Sequence, residues 1–229
     1  MTAARSTQQS ASKYRKLSRI SLKRCEAILA AALKAFASYG LHGARLETIA
    51  EEAGLSKTNL LYYYPSKGKL YTAVLTRTLD DWLAPLKRFD ESQNAMEVLD
   101  HYLTEKLMSS RDNPDAARLF CMEMLHGGPT IKHFMETELR QVVEAKKNVV
   151  LAWIAQGQLA PVDPYQFFYL LWAATQQYAD YIPQILTLSG KDLNDPDFFD
   201  AALATLRQTL LAGLAPTTSL KASSAPEPQ

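Results

Sequence analysis

The stretch LETIAEEAGLSKTNLLYYYPSKGKL, from Leu46 to Leu70, constrains this chain more than any other part of it. Leu46, Ile49, Ala50 and Ala53 recur at helical spacing, which predicts a short helix with one buried face. Gly54 follows at once, where a helix end calls for a residue that accepts positive φ. Leu55 then points to the core, and Ser56 is suited to cap a second helix over Lys57 to Tyr64. Pro65 stops that helix, and Ser66 can cap another from Lys67.

A packing helix, a tight turn and a polar second helix form the layout of a helix-turn-helix, whose second helix enters a major groove. The second helix here carries Lys57, Thr58, Asn59, Tyr62 and Tyr63. Its N-terminal donors would meet base edges, and its lysine and tyrosine groups would reach phosphates. An ordinary helical hairpin with a solvated polar face has the same spacing, so both readings stand on pattern alone.

IAEEAGLSKTNLLYYYPSKGKL resembles the DNA-binding signature of the TetR family of one-component transcriptional repressors. The resemblance implies that Thr48, Lys57, Thr58, Asn59 and Tyr63 face DNA and that Lys67 meets phosphate. Arg45 departs from the family pattern, in which Thr or Ser usually caps the first helix of the motif. A weaker cap and a further phosphate contact are the expected consequences.

Charge is divided along the chain in a way that suits this reading. Residues 1–79 hold 13 Lys and Arg against 4 Glu, and residues 80–229 hold 12 against 20 acidic residues, so a net +1 conceals a basic end and an acidic remainder. One end facing a polyanion accounts for the split, as do two unrelated domains of different charge. At 229 residues and 47% hydrophobic content the chain can bury one or two cores. No stretch approaches transmembrane length or a signal peptide, so a cytoplasmic protein with no membrane partner is expected. Cys25 and Cys121 are too few for a disulfide scaffold or a four-ligand zinc site.

The periodicity is helical throughout, giving an all-α fold in four parts. A basic arm over residues 1–20, able to follow DNA or simply solvated, precedes a helix-turn-helix domain over 21–66. A helical ligand-binding and dimerisation domain over 67–214 and a tail over 215–229 follow. A bracing helix from Leu22 to Tyr39 is expected to bury Ile28, Leu29, Ala32, Leu33 and Phe36 and to end at Gly40. Further helices are expected from Lys67 toward Trp82, with a kink or end at Pro85, and then over 95–110, 114–125 and 130–156. Asp163 with Pro164 starts another whose apolar stripe runs from Phe167 to Ile182, and Asp195 starts a last one over 196–214.

No catalytic or metal-binding pattern emerges. His42, His101, His126 and His133 fall in no ligand spacing, and neither a nucleophile elbow nor a glycine-rich phosphate loop is present. An enzyme is therefore not expected, and neither is a cofactor or metal. A binding site is suggested by WAATQQYADY, which places Trp172 and Gln176 on one helical face beside Tyr178, and by RLFCMEML, which carries Arg118. An aromatic stripe in the core and a surface ion pair of Arg118 with Glu123 explain the same residues.

LSKTNLLYYYPSK, WLAPLK, RLFCMEML and WAATQQYAD together resemble the pyrimidine-utilisation regulators within the TetR family. That resemblance implies a homodimeric repressor of pyrimidine-degrading genes, with a wider role in nitrogen metabolism, released from a palindromic double-stranded operator by uracil or thymine. Such an effector offers two N–H donors and two carbonyl acceptors on a flat ring. Gln176 can donate and accept, Arg118 can donate, and Trp82, Trp172 or Tyr178 can pack against the ring. A regulator of the same family for a drug or fatty acid, a helical enzyme and a sequence-independent architectural DNA protein are the competing readings.

Overall fold

The computed structural model describes residues 19–216, and every regular element among them is helical. The expected arm and tail lie outside the described residues, except for two positions of each. The chain divides into two compact units that part between Val74 and Leu75.

The first unit is a small bundle. Helix α1 (Arg19–Gly43) breaks at Gly40, whose φ of 67° and ψ of 178° lie off the helical path, and one further turn runs on to Gly43. The buried stripe of α1 is Ile28, Ala31, Ala32, Ala35 and Phe36, with the expected Leu29 and Leu33 only half-buried at its margin. Small alanines on this face let α2 (Leu46–Glu52) and α3 (Lys57–Tyr63) approach closely. Ile49 and Leu60 are fully enclosed between them. Helix α4 (Lys67–Lys87) begins in this unit: Leu70, Tyr71 and Val74 are buried, and the Tyr71 ring meets Phe36 edge-on at 5.0 Å. The division between the units therefore falls two turns inside α4 rather than at its first residue.

The second unit takes the rest of α4 and the helices that follow. These are α5 (Ala95–Asp112), α6 (Pro114–Leu125), α7 (Lys132–Phe134), α8 (Arg140–Ala155), α9 (Pro164–Asp180), α10 (Ile182–Ser189) and α11 (Pro196–Leu206). Asn94, Asp163 and Asp195 cap α5, α9 and α11 through their side chains, and Pro164 and Pro196 occupy the first turns, where a missing N–H costs nothing. Leu86, Leu99, Leu103, Leu107, Val150, Trp153 and Phe168 are fully buried at the centre. Pro85 lies inside the last turn of α4, which ends two residues later.

Three features depart from the expected pattern. The helix expected over 130–156 runs from Lys132 to Ala155 but is wound as a π-turn at Met135–Leu139. Helix α9 stops at Asp180, and α10 starts afresh with Pro183 in its first turn, a helix not anticipated. The last helix loosens into a π-turn at Arg207–Leu211 and a 3-10 turn at Ala212–Leu214. No helix of the described residues is long and apolar enough to cross a membrane.

Candidate functional site

In the first unit the turn between α2 and α3 is built as its residues require. Gly54 takes φ +68°, and the Leu55 amide reaches back to the Ala50 carbonyl at 2.8 Å. The Ser56 hydroxyl accepts from the Asn59 amide at 3.2 Å and fixes the start of α3. Arg45, at the cap position of α2, makes no side-chain cap bond, as its departure from the family pattern implied.

With Leu60 turned inward, α3 leaves Lys57, Thr58, Asn59 and Tyr62 exposed, and Thr48 and Arg45 are exposed as well. Tyr62 is 76% exposed, an aromatic ring held in water with only its neighbour Tyr63 edge-on at 5.4 Å. An isolated solvated tyrosine on a polar helix face suits a phosphate or sugar partner better than a core role. Two cations in this region already have partners. Lys57 pairs with Glu47 at 2.7 Å, and that hydrogen bond holds the Glu47 carboxyl below the usual carboxylate range. Lys67 donates to the carbonyls of His42 and Ala44, both at 3.0 Å, closing the end of α1 and leaving one ammonium hydrogen for another acceptor. On the inner side Tyr64 faces the Cys25 thiol, and burial pushes the Tyr64 phenol up to about 12.

The second unit holds a half-open cavity of about 80 Å³ lined by α4, α5, α6, α9 and the π-turn. Three of the five expected ligand residues, Trp82, Trp172 and Gln176, converge on it from positions far apart in the chain. Both indoles are pinned. Trp172 donates its Nε1 hydrogen to the Tyr102 hydroxyl at 2.8 Å and stacks on Phe168 at 5.8 Å. Trp82 meets Phe120 edge-on at 5.2 Å. Leu79, Leu83 and Leu139 complete the apolar wall.

The other two expected residues lie elsewhere. Arg118 is exposed and pairs with Asp115 at 3.2 Å, one helical turn back, and it is absent from the cavity lining. Asp180, at the end of α9, keeps its Oδ1 buried without a hydrogen-bond partner, and burial pushes its carboxyl up, opposed in part by the charge of Arg118. Tyr178 turns away to meet Phe198 of α11 edge-on at 6.3 Å.

Lys106 and Tyr102, both on α5 and both buried, are the polar cavity residues that sequence pattern did not single out. The Lys106 ammonium lies 4.6 Å from the centre of the Trp82 ring. No carboxylate among the described residues pairs with it, and burial alone pulls the amine down to about 8. A signal was there: Lys106 falls on the stripe of Leu99, Tyr102, Leu103 and Ser110, where a lysine at helical spacing is out of place. No group of three His, Cys, Asp or Glu among the described residues is placed to hold a metal ion.

Comparisons with known proteins divide the chain at the same point, between residues 74 and 75. Residues 28–74 match the family described as bacterial regulatory proteins, tetR family, and residues 75–217 match that described as YcdC-like protein, C-terminal region. The chain is 46% identical over 191 residues to the HTH-type transcriptional regulator RutR of Escherichia coli K12, covering 83% of this chain and 90% of the relative. It is 27% identical over 186 residues to the HTH-type transcriptional repressor SCO4008 of Streptomyces coelicolor, covering 79% of this chain and 92% of the relative. Among solved structures, the putative transcriptional regulator SCO4942 of Streptomyces coelicolor superposes with a TM-score of 0.66 at 24% identity, over 83% of this chain and 98% of that one.

Proposed function

The chain belongs to the TetR family of bacterial DNA-binding transcriptional regulators, which are not enzymes, and on that premise we propose that it is a homodimeric, cytoplasmic repressor of pyrimidine catabolism genes that leaves a palindromic operator when uracil or thymine binds. The observation that carries the effector assignment is the convergence of Trp82, Trp172 and Gln176 on one cavity. Two pinned indoles offer apolar faces to a flat ring, and Gln176 supplies the hydrogen-bonding edge. An amide carries both a donor and an acceptor, so Gln176 can take a ring N–H on its carbonyl oxygen or give a hydrogen to a ring carbonyl. The resemblance of WLAPLK, RLFCMEML and WAATQQYAD to pyrimidine-utilisation regulators points to the same ligand.

A cavity of about 80 Å³ suits a single small ring, and an adjoining pocket of about 410 Å³ shares Leu139 and Trp172 with it. Drug-sized ligands occupy pockets of roughly 300–1,000 Å³, so the polar edge of Gln176, rather than volume, favours a pyrimidine over an apolar effector. DNA reading falls to Thr48, Lys57, Thr58, Asn59, Tyr62 and Tyr63, with Arg45 and the remaining donor of Lys67 directed to phosphate.

Thermal unfolding with uracil, thymine, cytosine and a fatty acid tests the effector. A ligand that binds only the native state stabilises it by about 2.7 kcal/mol at roughly 100 times its dissociation constant. Uracil or thymine should raise the melting temperature and release an operator fragment, and cytosine should do neither. A rise with the fatty acid alone would leave the DNA-binding reading standing and remove the pyrimidine one.

A further inference from the structure

A second cleft, of about 410 Å³, opens between the π-turn, α8 and α9. Leu139 and Val143 line it from the π-turn and α8, and Tyr165, Tyr169 and Trp172 line it from α9. Those three rings stand at helical spacing and meet in sequence. Tyr165 and Tyr169 lie 6.3 Å apart with 27° between their planes, and Tyr169 and Trp172 lie 6.2 Å apart. Arg140 borders the same space, is exposed, and makes no side-chain hydrogen bond or ion pair with a described residue. The two carboxylates that share the cleft are both taken. Glu144 accepts from the Tyr165 hydroxyl and pairs with Lys147 at 2.6 Å, and the Lys147 ammonium also lies 5.2 Å from the centre of the Tyr165 ring. Glu136, four residues before Arg140, would face it on an α-helix. The π-turn between them, bonded i to i+5, turns that pairing aside, and Glu136 lies 3.8 Å from Lys132 instead. The cleft is left with an aromatic wall and one guanidinium without a counter-charge.

We propose that this cleft is a second ligand site, one that takes a planar aromatic carboxylate, its ring against Tyr169 and Trp172 and its carboxylate on the Arg140 guanidinium. The site is separate from the inner cavity and stands whether or not that cavity takes a pyrimidine. Stacking on the aromatic wall selects a flat ring. The planar fork of a guanidinium matches a carboxylate with two parallel hydrogen bonds. Glu136 on the same rim repels a dianion more strongly than a monoanion, which favours a carboxylate over a phosphate ester. A cationic ring meets Arg140 as a like charge. The volume lies within the roughly 300–1,000 Å³ of sites for drug-sized ligands, so two fused rings fit. Leu139 and Trp172 are walls of both spaces, and the two ligands therefore sit on either side of them without exchanging places.

The test is calorimetric titration of the full-length dimer with 2-naphthoate and with its neutral counterpart, 2-naphthamide. Wild type should bind one naphthoate per protomer and bind the amide more weakly. Arg140→Gln should lower naphthoate affinity roughly tenfold, the loss of a charge-assisted hydrogen bond at an exposed site, and leave amide affinity unchanged. The melting temperature of that variant without ligand should match wild type, because Arg140 has no partner in the fold to lose. Glu136→Gln should raise naphthoate affinity roughly two- to fivefold by removing one repelling charge. Saturating uracil should leave naphthoate binding in place. Equal naphthoate affinity in wild type and Arg140→Gln, or an amide that binds as tightly as the acid, would overturn the inference. So would the absence of naphthoate binding, or its competitive displacement by uracil, which would move it into the inner cavity. Tyr169 also borders the α9 face proposed for pairing in the Discussion. Naphthoate binding seen only in Leu170→Asp, a variant expected to be monomeric, would show that the partner protomer fills the cleft and would overturn the inference as well.

Discussion

Lys106 carries an energetic cost that only its position explains. Its amine is pulled to about 8 from an ordinary 10.5 by burial alone. Below pH 8 both folded and unfolded chains hold the proton, and the folded one bears the full penalty. Between pH 8 and 10.5 the unfolded chain keeps a proton that the folded chain has released, so raising the pH there favours the fold. Above that window both states are neutral and the penalty is gone. A shift of this size corresponds to roughly 3 kcal/mol. Lys106→Met, which fills the same stem volume without charge, should therefore be more stable than wild type at pH 7 by about 2–3 kcal/mol. Chemical denaturation at pH 7, 9 and 10.5 should show that advantage shrinking step by step. An advantage that stays constant across the series would show that desolvation of the ammonium is not its source. At this scale the site was half legible. Trp82, Trp172 and Gln176 advertise ring recognition by residue type, whereas Arg118 looked equivalent on its helix and was drawn off by Asp115, a partner only three residues away whose pairing depends on rotamer.

At the scale of elements, local signals were read well and tertiary ones were not. Gly54, Ser56, Asp163 and Asp195 mark helix ends through contacts with residues two to four positions away, so their sequence context contains the whole interaction. The π-turn at Met135–Leu139 buries none of its residues and no sequence cue announces it, whereas the separate start of α10 at Ile182 is marked by Pro183 in its first turn. The division inside α4 at Val74 is a tertiary feature: Tyr71, before it, meets Phe36 of α1. The reading face of α3 offers a direct test. Glu47 holds Lys57 in an ion pair between two exposed side chains and so competes with phosphate. Glu47→Gln should raise affinity for non-specific duplex DNA and steepen the dependence of log affinity on log salt by about one unit, as expected for one more neutralised phosphate. The melting temperature should hardly change, because an exposed pair contributes little to the fold. An unaltered salt slope would show that Lys57 already reaches DNA with Glu47 in place. Ser56→Ala removes the cap of α3 and should lower stability by about 1 kcal/mol in a denaturant titration, with a parallel loss of operator binding.

For the whole molecule, two chemistries sit on separate compact units of one chain, and the proposed dimer is what makes the first of them specific. A single seven-residue recognition helix covers only a few base pairs. Two of them joined through their ligand-binding units read a palindrome, and the second engages at the effective concentration set by that linkage. For the proposed pairing, α9 of the second unit is the candidate face. Tyr169 and Leu170 of α9 are 53% and 56% exposed, beside Phe168 and Leu171 on the buried side of the same helix. Two adjacent large apolar groups left in solvent suit an association surface. Leu170→Asp introduces one charge per protomer into that face, where two-fold symmetry would bring like charges together. Light scattering should report a monomer, and affinity for a palindromic operator should fall by roughly a hundredfold or more, the gain that bivalence supplies. Because the cavity is lined by α4, α5, α6, α9 and the π-turn of one chain, uracil should still raise the melting temperature of the variant. A dimer that persists would move the interface off α9. A monomer that keeps full operator affinity would instead remove the need for two heads and favour an architectural mode of binding. A monomer that no longer responds to uracil would place part of the effector's stabilisation in the interface itself.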